Sequence, residues 1–436
     1  MMMFNQTNSG FPQQKLGFHY FPDTLHYTEK DLQQWLPLLM ELGVGWLILR
    51  TETNRAIPEY FISGLLKAGI QPIIQFPLTL QTPPDIRAVS PLVECYNHWG
   101  ATFHLFFDRP NIHQSWPANQ WAQQDLVERF LDRFLPLASL SVESGGFALF
   151  PPLEPGGNFW DTTFLRAALE AIQRRKMTRL LDKLILTAYG WTFYHPLNWG
   201  EGGPERWPDA RPYFTPAQSQ DQRGFRAFEW YSAISEAVLQ KKCPIILLQA
   251  GLPAAPDRLP RHEVQSEEMD STFMEIFQLI NTPRRLDDEI DPPRLEEEVI
   301  SLNFWLLSAA KQSPEFTFAW FEDTQPIRKA AAQLCAEREV ATNRPAMEGI
   351  LDENNIRKAL RPIQHYLYLG ENGRSDLSAI FQKYAGFIAQ FHPTLGFSLE
   401  EARLANRITL AVHKNDVPAE LLQALQKQGC QIDWLE

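Results

Sequence analysis

Short apolar runs alternate along the chain with amphipathic stretches of helical length. In the stretch Glu29–Leu42, the apolar residues Leu32, Leu36 and Leu39 recur at the spacing of one helix face. Gly43 follows directly and is a typical helix terminator. The runs between such stretches are short and rich in β-branched and aromatic residues, as strands are. This alternation predicts βα units that share a parallel sheet.

Eight apolar runs are predicted to be strands. They are Leu16–Phe21, Val44–Arg50, Gln71–Phe76, Thr102–Phe107, Gly146–Phe150, Lys183–Ala188, Pro244–Gln249 and Phe316–Phe321. Further helices are predicted at Pro58–Ala68, Gln120–Leu135, Phe164–Arg175, Gly224–Lys241 and Leu295–Lys311. Eight strand–helix units favour an α/β fold of the (β/α)8 TIM-barrel type. A doubly wound α/β sheet is the alternative, because it shows the same alternation.

The chain divides into three predicted segments. Residues 1–15 are expected to be a flexible N-terminus, residues 16–370 the barrel, and residues 371–436 a small C-terminal α/β extension that docks on the barrel. A turn and a closing helix are expected at Glu348–Leu367. The extension is predicted to contain helices at Ser398–Ala405 and Pro418–Gln428 and extended segments at Ile408–Val412 and Gln431–Leu435. The charged insertion Asp257–Glu298 is expected to be a solvated cover over the barrel mouth.

Composition and charge narrow the class of protein. The chain has 436 residues, of which 44% are hydrophobic, so a large core can form. A net charge of −12 without a basic cluster argues against nucleic acid and anionic membranes as partners. The four cysteines lack CxxC or metal-ligand spacing, so we expect reduced thiols, no metal and no cofactor. Neither a signal peptide nor a long apolar run is evident, so a cytoplasmic location is expected, with the oligomeric state open.

Several segments, taken in order, resemble one clan of barrel enzymes. The segments are GFHYFPD and WLILRTE in the first two units, FFDRPN on strand four, LILTAYGW on strand six, LLQAG on strand seven, FAWFED on strand eight, and GILDENNIRKAL after the barrel. Together they resemble the (β/α)8-barrel glycoside hydrolases whose catalytic glutamates lie on strands four and seven. The resemblance covers residues 16–367. It implies a saccharide ligand or substrate at the C-terminal face of the barrel.

The chain departs from this family at both catalytic positions. By the resemblance, Arg109 stands where the acid/base glutamate is expected, and Gln249 stands where the nucleophile is expected. An arginine does not release a proton at neutral pH, because its pKa lies above about 12. A neutral amide is a poor nucleophile. By the resemblance, the family's carboxylate pair is therefore missing, and the chain resembles a divergent member that lacks both expected glutamates.

Other carboxylates follow predicted strand ends and could replace that pair. Strand C-termini of such barrels point into the site. On this basis Asp108, Glu154 and Glu322 are the candidate catalytic residues. Each could instead be a loop carboxylate that caps a helix or pairs with Arg50 or Arg109.

Aromatic and polar side chains near the strand ends suggest a binding cleft. Sugars stack their apolar faces on flat rings, while polar groups fix their hydroxyls. The predicted substrate-binding residues are His19, Arg50, Glu52, Tyr189, Trp191, Trp199 and Trp320. For the aromatic residues of the loop after strand six, the alternative is that they pack the loop onto the barrel.

Four functions remain open from the sequence. The first is a glycoside-hydrolase-like barrel that binds a saccharide with altered or lost hydrolytic chemistry. The second is an active glycosidase with a relocated carboxylate pair. The third is a non-catalytic scaffold or partner-binding barrel. A lyase or aldolase is the fourth, although it would need a lysine, metal cluster or phosphate site at the strand ends, and the sequence offers none.

Overall fold

Eight parallel strands form a closed barrel in the first part of the chain. The computed structural model describes residues 11–259, 266–281, 295–342, 363–370, 377–413, 416–418, 422–423, 425–426 and 430–435. The barrel strands are β1 Leu16–His19, β2 Trp46–Arg50, β3 Gln71–Phe76, β4 Phe103–Phe106, β5 Phe147–Phe150, β6 Leu184–Tyr189, β7 Ile245–Ala250 and β8 Val299–Phe304. They pair in chain order, and β8 closes the barrel on β1. The predicted (β/α)8 TIM-barrel fold is confirmed.

The eighth strand is not the predicted one. Strand β8 lies within the stretch predicted to be the helix Leu295–Lys311, and Leu302 pairs with Leu16 of β1. The predicted strand Phe316–Phe321 is instead a 3-10 helix, Pro314–Phe318, followed by the short strand β9, Phe321–Glu322. Strand β9 pairs with β10, Gln325–Pro326. The segments Val299–Phe304 and Phe316–Phe321 are both short and apolar, and periodicity alone cannot tell a buried strand from a helix of that length.

The described helices vary from four to eighteen residues. They are α1 Glu29–Glu41, α2 Glu59–Lys67, α3 Ile86–Trp99, α4 Ala118–Trp121, α5 Leu126–Glu143, α6 Asp161–Arg174, α7 Thr178–Asp182, α8 Gly203–Arg206, α9 Ala227–Leu239, α10 Ser266–Asn281, α11 Lys329–Thr342, α12 Leu377–Phe391 and α13 Leu399–Ala402. Among them, none combines the length and the apolar character that a bilayer crossing requires.

The charged insertion contains a packed helix rather than only a solvated cover. Helix α10 buries Phe273, Ile276 and Phe277 almost completely. The ring of Phe273 packs against Phe304 of β8, with 5.6 Å between ring centroids. The acidic residues of the insertion obscured this apolar face in the sequence. Residues 260–265 and 282–294 of the insertion lie outside the described residues.

The first described residues are packed, in contrast to the flexible N-terminus predicted for residues 1–15. The ring of Phe11 lies 5.5 Å from that of Phe147 and 5.9 Å from that of Phe103, measured between centroids. Both partners are the first residues of their strands, so Phe11 covers the N-terminal end of the barrel. Residues 1–10 lie outside the described part of the chain.

A second compact unit comprises residues 27–37, 57–68 and 346–436. Its four parallel strands are β11 Ile363–Tyr368, β12 Thr394–Gly396, β13 Ala405–Leu410 and β14 Gln431–Trp434, arranged in the order β12-β11-β13-β14. Tyr366, Ile408 and Leu410 are fully buried in its core. Tyr60 of α2 packs against the same core, and Thr394 Oγ1 donates to Glu59 Oε2 over 3.0 Å.

This unit begins earlier in the chain than the boundary predicted at residue 370. Strand β11 was predicted to be part of the barrel's closing helix, but it pairs with β12 and β13. The rest of that predicted helix, residues 348–362, lies outside the described residues, as does most of the predicted helix Pro418–Gln428. The predicted extended segments near Ile408 and Gln431 coincide with β13 and β14.

Candidate functional site

A cavity of about 580 Å³ opens at the C-terminal mouth of the barrel. Its walls come from the ends of strands β2, β3, β4, β6 and β7 and from the segments that follow β7 and β8. The lining includes Arg50, Gln75, Phe76, Phe107, Asp108, Arg109, Tyr189, Gln249, Asp257, Trp305, Glu315 and Phe318. The cavity therefore combines aromatic rings with amide, carboxylate and guanidinium groups. Active sites of such barrels lie at this face.

The end of β4 turns sharply and carries two charged side chains into the cavity. Phe107 and Arg109 both adopt positive φ, at 65° and 44°. Such values are rare for bulky residues, and they persist where the surrounding structure fixes them. Arg109 N donates to Pro152 O over 3.0 Å, which ties the turn to the segment after β5. Asp108 and Arg109 are thus held on a defined backbone.

The Arg109 guanidinium is surrounded by carboxylates. Its Nε donates to Asp108 Oδ2 over 2.9 Å. Its Nη1 lies 3.2 Å from Asp257 Oδ1 and 3.5 Å from Glu154 Oε2. Burial alone would lower the pKa of Arg109, but Asp108 and the neighbouring acidic groups outweigh burial and raise it above its ordinary value. Arg109 therefore remains a cation.

Strand β7 has a bulge at Gln249, the residue at the position where the resemblance places the nucleophile. Leu247 pairs with Leu302 and Ala250 with Phe304, so β7 holds one more residue than β8 across this interval. Gln249 lies in the bulge with a φ of 49°. Bulges next to active sites re-aim a side chain. Here the bulge places Gln249 at the cavity, where its Oε1 accepts a hydrogen bond of 3.1 Å from Trp191 Nε1.

Two aromatic residues connect Gln249 at the end of β7 with Asp108 after β4. The rings of Tyr189 and Trp191 stack with centroids 3.9 Å apart and an interplanar angle of 12°. The Tyr189 hydroxyl donates to Asp108 Oδ1. Burial and the Asp108 carboxylate raise the pKa of Tyr189 well above its ordinary value, so its hydroxyl keeps its proton. Side-chain contacts thus run without a break from Gln249 to Arg109.

The structure brings together two of the three predicted catalytic carboxylates, because Asp108 and Glu154 both pair with the Arg109 guanidinium, whereas Glu322 does not. Of these three, only Asp108 is among the described residues that line the cavity. Glu154 is nearly buried and pairs with Arg258 and Arg109. Burial outweighs these cations and raises the pKa of Glu154. Glu322 lies in the β9–β10 hairpin and pairs with Lys311.

The predicted binding residues of the early strands are divided between the cavity and its surroundings. Arg50 lines the cavity, and its Nη1 donates to Pro22 O over 3.0 Å. Glu52 accepts a hydrogen bond of 2.8 Å from Thr24 Oγ1. His19 is buried at the end of β1, where burial lowers its pKa to about 3, and its ring meets Trp305 edge-on at 4.8 Å between centroids. His19 is therefore a neutral residue behind the cavity wall.

The predicted aromatic binding residues occupy different places. Tyr189 lines the cavity, whereas Trp191 is buried behind it. Trp199 stacks on His195 with 3.9 Å between centroids and donates to Asp221 Oδ1 over 3.4 Å, in the loop after β6. Trp320 is fully buried and packs against Phe304 at 4.8 Å between centroids. The prediction for Trp320 depends on Phe316–Phe321 being strand eight, whereas the eighth strand is Val299–Phe304.

Two residues that line the cavity could not be found in the sequence because the eighth strand was predicted at the wrong place. Trp305 directly follows β8, so its position at the mouth is evident only once β8 is known. Glu315 lies on the 3-10 helix that was predicted to be strand eight. The dipeptide Ser313–Pro314 is a helix-start signal and was the clue available in the sequence. Among the described residues, no group of three or more metal-ligating side chains is arranged to hold an ion.

Comparisons with known proteins give similarity to solved structures only. No protein-family model matches the chain, and no curated protein matches it. It is similar to a family 39 glycoside hydrolase from the gut symbiont Bacteroides cellulosilyticus WH2, with 10% identity and a TM-score of 0.45 over 76% of this chain and 65% of that one. It is also similar to a monomeric β-xylosidase from Caulobacter crescentus CB15, with 13% identity and a TM-score of 0.43 over 76% and 68% of the two chains. The chain thus spans 65% of the length of the first of these structures.

Proposed function

We propose that the chain binds a saccharide at the C-terminal mouth of its barrel, and that the hydrolytic chemistry of the hydrolases it resembles is altered or lost. The observation that carries the proposal is which residues stand at the two positions where, by the resemblance, the catalytic glutamates are expected. Arg109 is held by acidic partners, and Gln249 is held by Trp191. Both side chains are well placed to contact a ligand and poorly suited to hydrolysis.

The chemistry of glycosidic bond cleavage supports the loss of the family mechanism. Retaining enzymes need two carboxyl groups about 5–5.5 Å apart, and inverting enzymes need about 6.5–9.5 Å. A guanidinium whose pKa is raised by Asp108 cannot protonate a leaving group. The neutral Gln249 amide cannot form the glycosyl–enzyme intermediate that a carboxylate forms.

The composition of the cavity wall supports a sugar ligand. Trp305, Phe318 and Tyr189 supply rings for the apolar faces of a sugar. Gln75 and Gln249 supply amide groups for its hydroxyls. A cavity volume of about 580 Å³ lies within the range of roughly 300–1,000 Å³ that is usual for small-molecule sites.

Substitution of Trp305 tests the proposal. The wild type and the Trp305→Ala and Trp199→Ala variants would be titrated by calorimetry with a broad panel of oligosaccharides. We expect Trp305→Ala to weaken binding about 10- to 100-fold, which corresponds to about 1–3 kcal/mol for a lost stacking ring. Trp199→Ala is the matched control, because Trp199 stacks on His195 in the loop after β6. Failure of the folded wild type to bind any sugar in the panel would overturn the proposal.

An active glycosidase with a relocated carboxylate pair is the second candidate. It is favoured by one observation: Asp108 and Glu315 line the same cavity. On this alternative, the wild type would release new reducing ends from an oligosaccharide. Asp108→Asn and Glu315→Gln would each lower that rate by orders of magnitude. An absence of products across a panel that binds to the protein would eliminate this candidate and support the non-hydrolytic proposal.

A further inference from the structure

Two guanidinium groups and three carboxylates of the described residues line the cavity, those of Arg50, Arg109, Asp108, Asp257 and Glu315, so the carboxylates outnumber the cations by one. The Arg50 guanidinium donates to a backbone carbonyl oxygen. Arg109 compensates Asp108 and Asp257, with closest approaches of 2.9 and 3.2 Å. Glu315 also lines the cavity, and its Oε2 accepts a hydrogen bond from the Ser313 hydroxyl. Within the described part of the chain, no lysine, arginine or histidine lies within ion-pair distance of Glu315. Among the described residues, Glu315 is therefore a lining carboxylate that makes no ion pair.

The segment that carries Glu315 is anchored. Ser313 Oγ accepts a hydrogen bond of 3.3 Å from Glu315 N, which caps the 3-10 helix at its start. Thr317 O accepts a hydrogen bond from Arg328, which is nearly buried and also pairs with Asp270 at 3.4 Å. A side chain on an anchored turn needs little ordering when a ligand binds. Glu315 is thus pre-positioned at the cavity.

A hydrogen-bond donor of opposite character lies in the same cavity. Because Gln249 Oε1 accepts from Trp191 Nε1, the amide group that remains for a ligand is Gln249 Nε2, which only donates. The cavity therefore offers a fixed donor at Gln249 and a fixed acceptor at Glu315. A sugar hydroxyl can satisfy either group, since it both donates and accepts. An ammonium group would gain a charge-assisted bond at Glu315, whereas a carboxylate would be repelled there.

We infer that Glu315 is a specificity-determining residue that selects neutral and amino-substituted sugars and rejects uronic acids. This inference rests on the proposed saccharide-binding function and adds the chemical class of the ligand. It assigns to Glu315 a binding role, in which its carboxylate contacts a ligand hydroxyl or ammonium group directly. Glu315→Gln keeps the size of the side chain and removes the charge, so it isolates the electrostatic part of the selection.

Matched glycosides provide the test. Methyl β-glucoside, methyl β-glucosaminide and methyl β-glucuronide, together with their galacto counterparts, differ mainly in charge. Their dissociation constants would be measured by calorimetry or ligand-observed NMR at about pH 6, where the sugar amine is charged. We expect the wild type to bind the glucuronide at least about 10-fold more weakly than the glucoside, and Glu315→Gln to reduce this ratio to within about 3-fold. Added salt should reduce the ratio in the wild type.

The control and the contradicting outcomes separate this inference from the proposed function. Glu170→Gln removes a solvent-exposed glutamate on α6 that lies outside the described cavity lining, and it should leave the ratio unchanged. If the wild type binds glucoside and glucuronide equally, the inference is overturned while saccharide binding stands. If Glu315→Gln keeps the wild-type ratio, the selection does not come from Glu315. If none of the glycosides or the wider oligosaccharide panel binds, the proposed function fails as well.

Discussion

Trp191 Nε1 donates a hydrogen bond of 3.1 Å to Gln249 Oε1, and this bond fixes which group of the glutamine amide, the oxygen or the NH₂, is turned toward the cavity. A glutamine at this position has two possible orientations, one presenting an acceptor and the other a donor. The indole N–H can only donate, so the amide oxygen of Gln249 must face Trp191. The amide NH₂ group then faces the cavity. Trp191 is buried and stacked on Tyr189, which holds the indole in place.

The Trp191→Phe variant should therefore reduce both stability and binding. The ring contact with Tyr189 is kept, while the hydrogen bond to Gln249 is lost. We expect the free energy of unfolding to fall by about 1–3 kcal/mol, because the substitution removes the donor to Gln249 and leaves a cavity beside a fully buried ring. We also expect sugar binding to weaken several-fold, because Gln249 would no longer be held in one orientation. Denaturant unfolding and calorimetric titration would measure the two effects.

Trp121→Phe is the matched control, since Trp121 lies in the short helix α4 and outside the described cavity lining. It should leave affinity at the wild-type level. A Trp191→Phe protein with unchanged affinity would show that the orientation of Gln249 does not matter for the ligand.

The stability contribution of Arg109 should far exceed that of Asp257, although the two residues share an ion pair. The Arg109 side chain is 14% exposed, whereas that of Asp257 is 61% exposed. Arg109→Gln would remove this cation from Asp108, whose side chain is 41% exposed, and from Glu154, which is 11% exposed and would keep only Arg258. We expect it to lower the free energy of unfolding by roughly 2–4 kcal/mol. Asp257→Asn should cost about 0–1 kcal/mol, as is usual for exposed pairs.

Urea unfolding of both variants, with the double variant to complete a cycle, would measure these terms. Equal losses for the two single variants would mean that burial does not set the strength of this network. A loss near zero for Arg109→Gln would show that the three carboxylates do not depend on the guanidinium.

Most of the barrel could be predicted from the sequence, because the first seven strands are short apolar runs bounded by helical periodicity. The run Gln71–Phe76 coincides with β3 at both ends. The eighth strand could not be predicted, since VISLNF and FTFAWF are equally short and apolar and only pairing with Leu16 distinguishes them. Strand β11 could not be predicted either, because it is recognisable only by its pairing with a distant strand, β12.

The candidate site was predicted in part. Arg109 and Gln249 were located by the resemblance of FFDRPN and LLQAG to the strand-four and strand-seven segments of barrel glycoside hydrolases. What they contact depends on distant residues: Asp257 is 148 positions from Arg109, and Trp191 is 58 positions from Gln249. The bulge in β7 has no local sequence signal either, because neither Leu248 nor Gln249 is a glycine. Side-chain partners across the barrel mouth follow from the closed sheet and not from spacing.

A cluster of acidic groups around Arg226 provides a prediction about pH. Arg226 is buried at the start of α9, and its Nη1 donates to Glu229 Oε1 over 3.0 Å and to Glu296 Oε1 over 2.9 Å. Glu201 lies 3.7 Å from the same guanidinium. Glu229 Oε2 also accepts a hydrogen bond of 2.6 Å from Gly202 N. Burial and the nearby Glu296 carboxylate outweigh these partners and raise the pKa of Glu229 from 4.5 to about 7.

Stability should decline as this glutamate ionises. An acid whose pKa is higher in the folded state holds its proton more tightly when folded, so the free energy of unfolding falls as pH rises between the two values. For Glu229 this interval runs from pH 4.5 to about pH 7. The Glu229→Gln variant cannot ionise and lacks this decline. We expect the stability of the wild type relative to Glu229→Gln to fall by on the order of 1–2 kcal/mol across the interval, after allowance for partial solvent exposure.

Denaturant unfolding of both proteins at several pH values would measure this difference. Glu170→Gln, at a solvent-exposed position on α6, controls for the loss of one surface carboxylate. Because groups far from Glu229 titrate equally in both proteins, the difference between wild type and Glu229→Gln reports Glu229 together with its interaction with Glu296. A difference that stays constant from pH 4.5 to 7 would contradict the raised pKa. A difference that grows in favour of the wild type would mean that Arg226 outweighs burial and Glu296, and that Glu229 is stabilised as an anion.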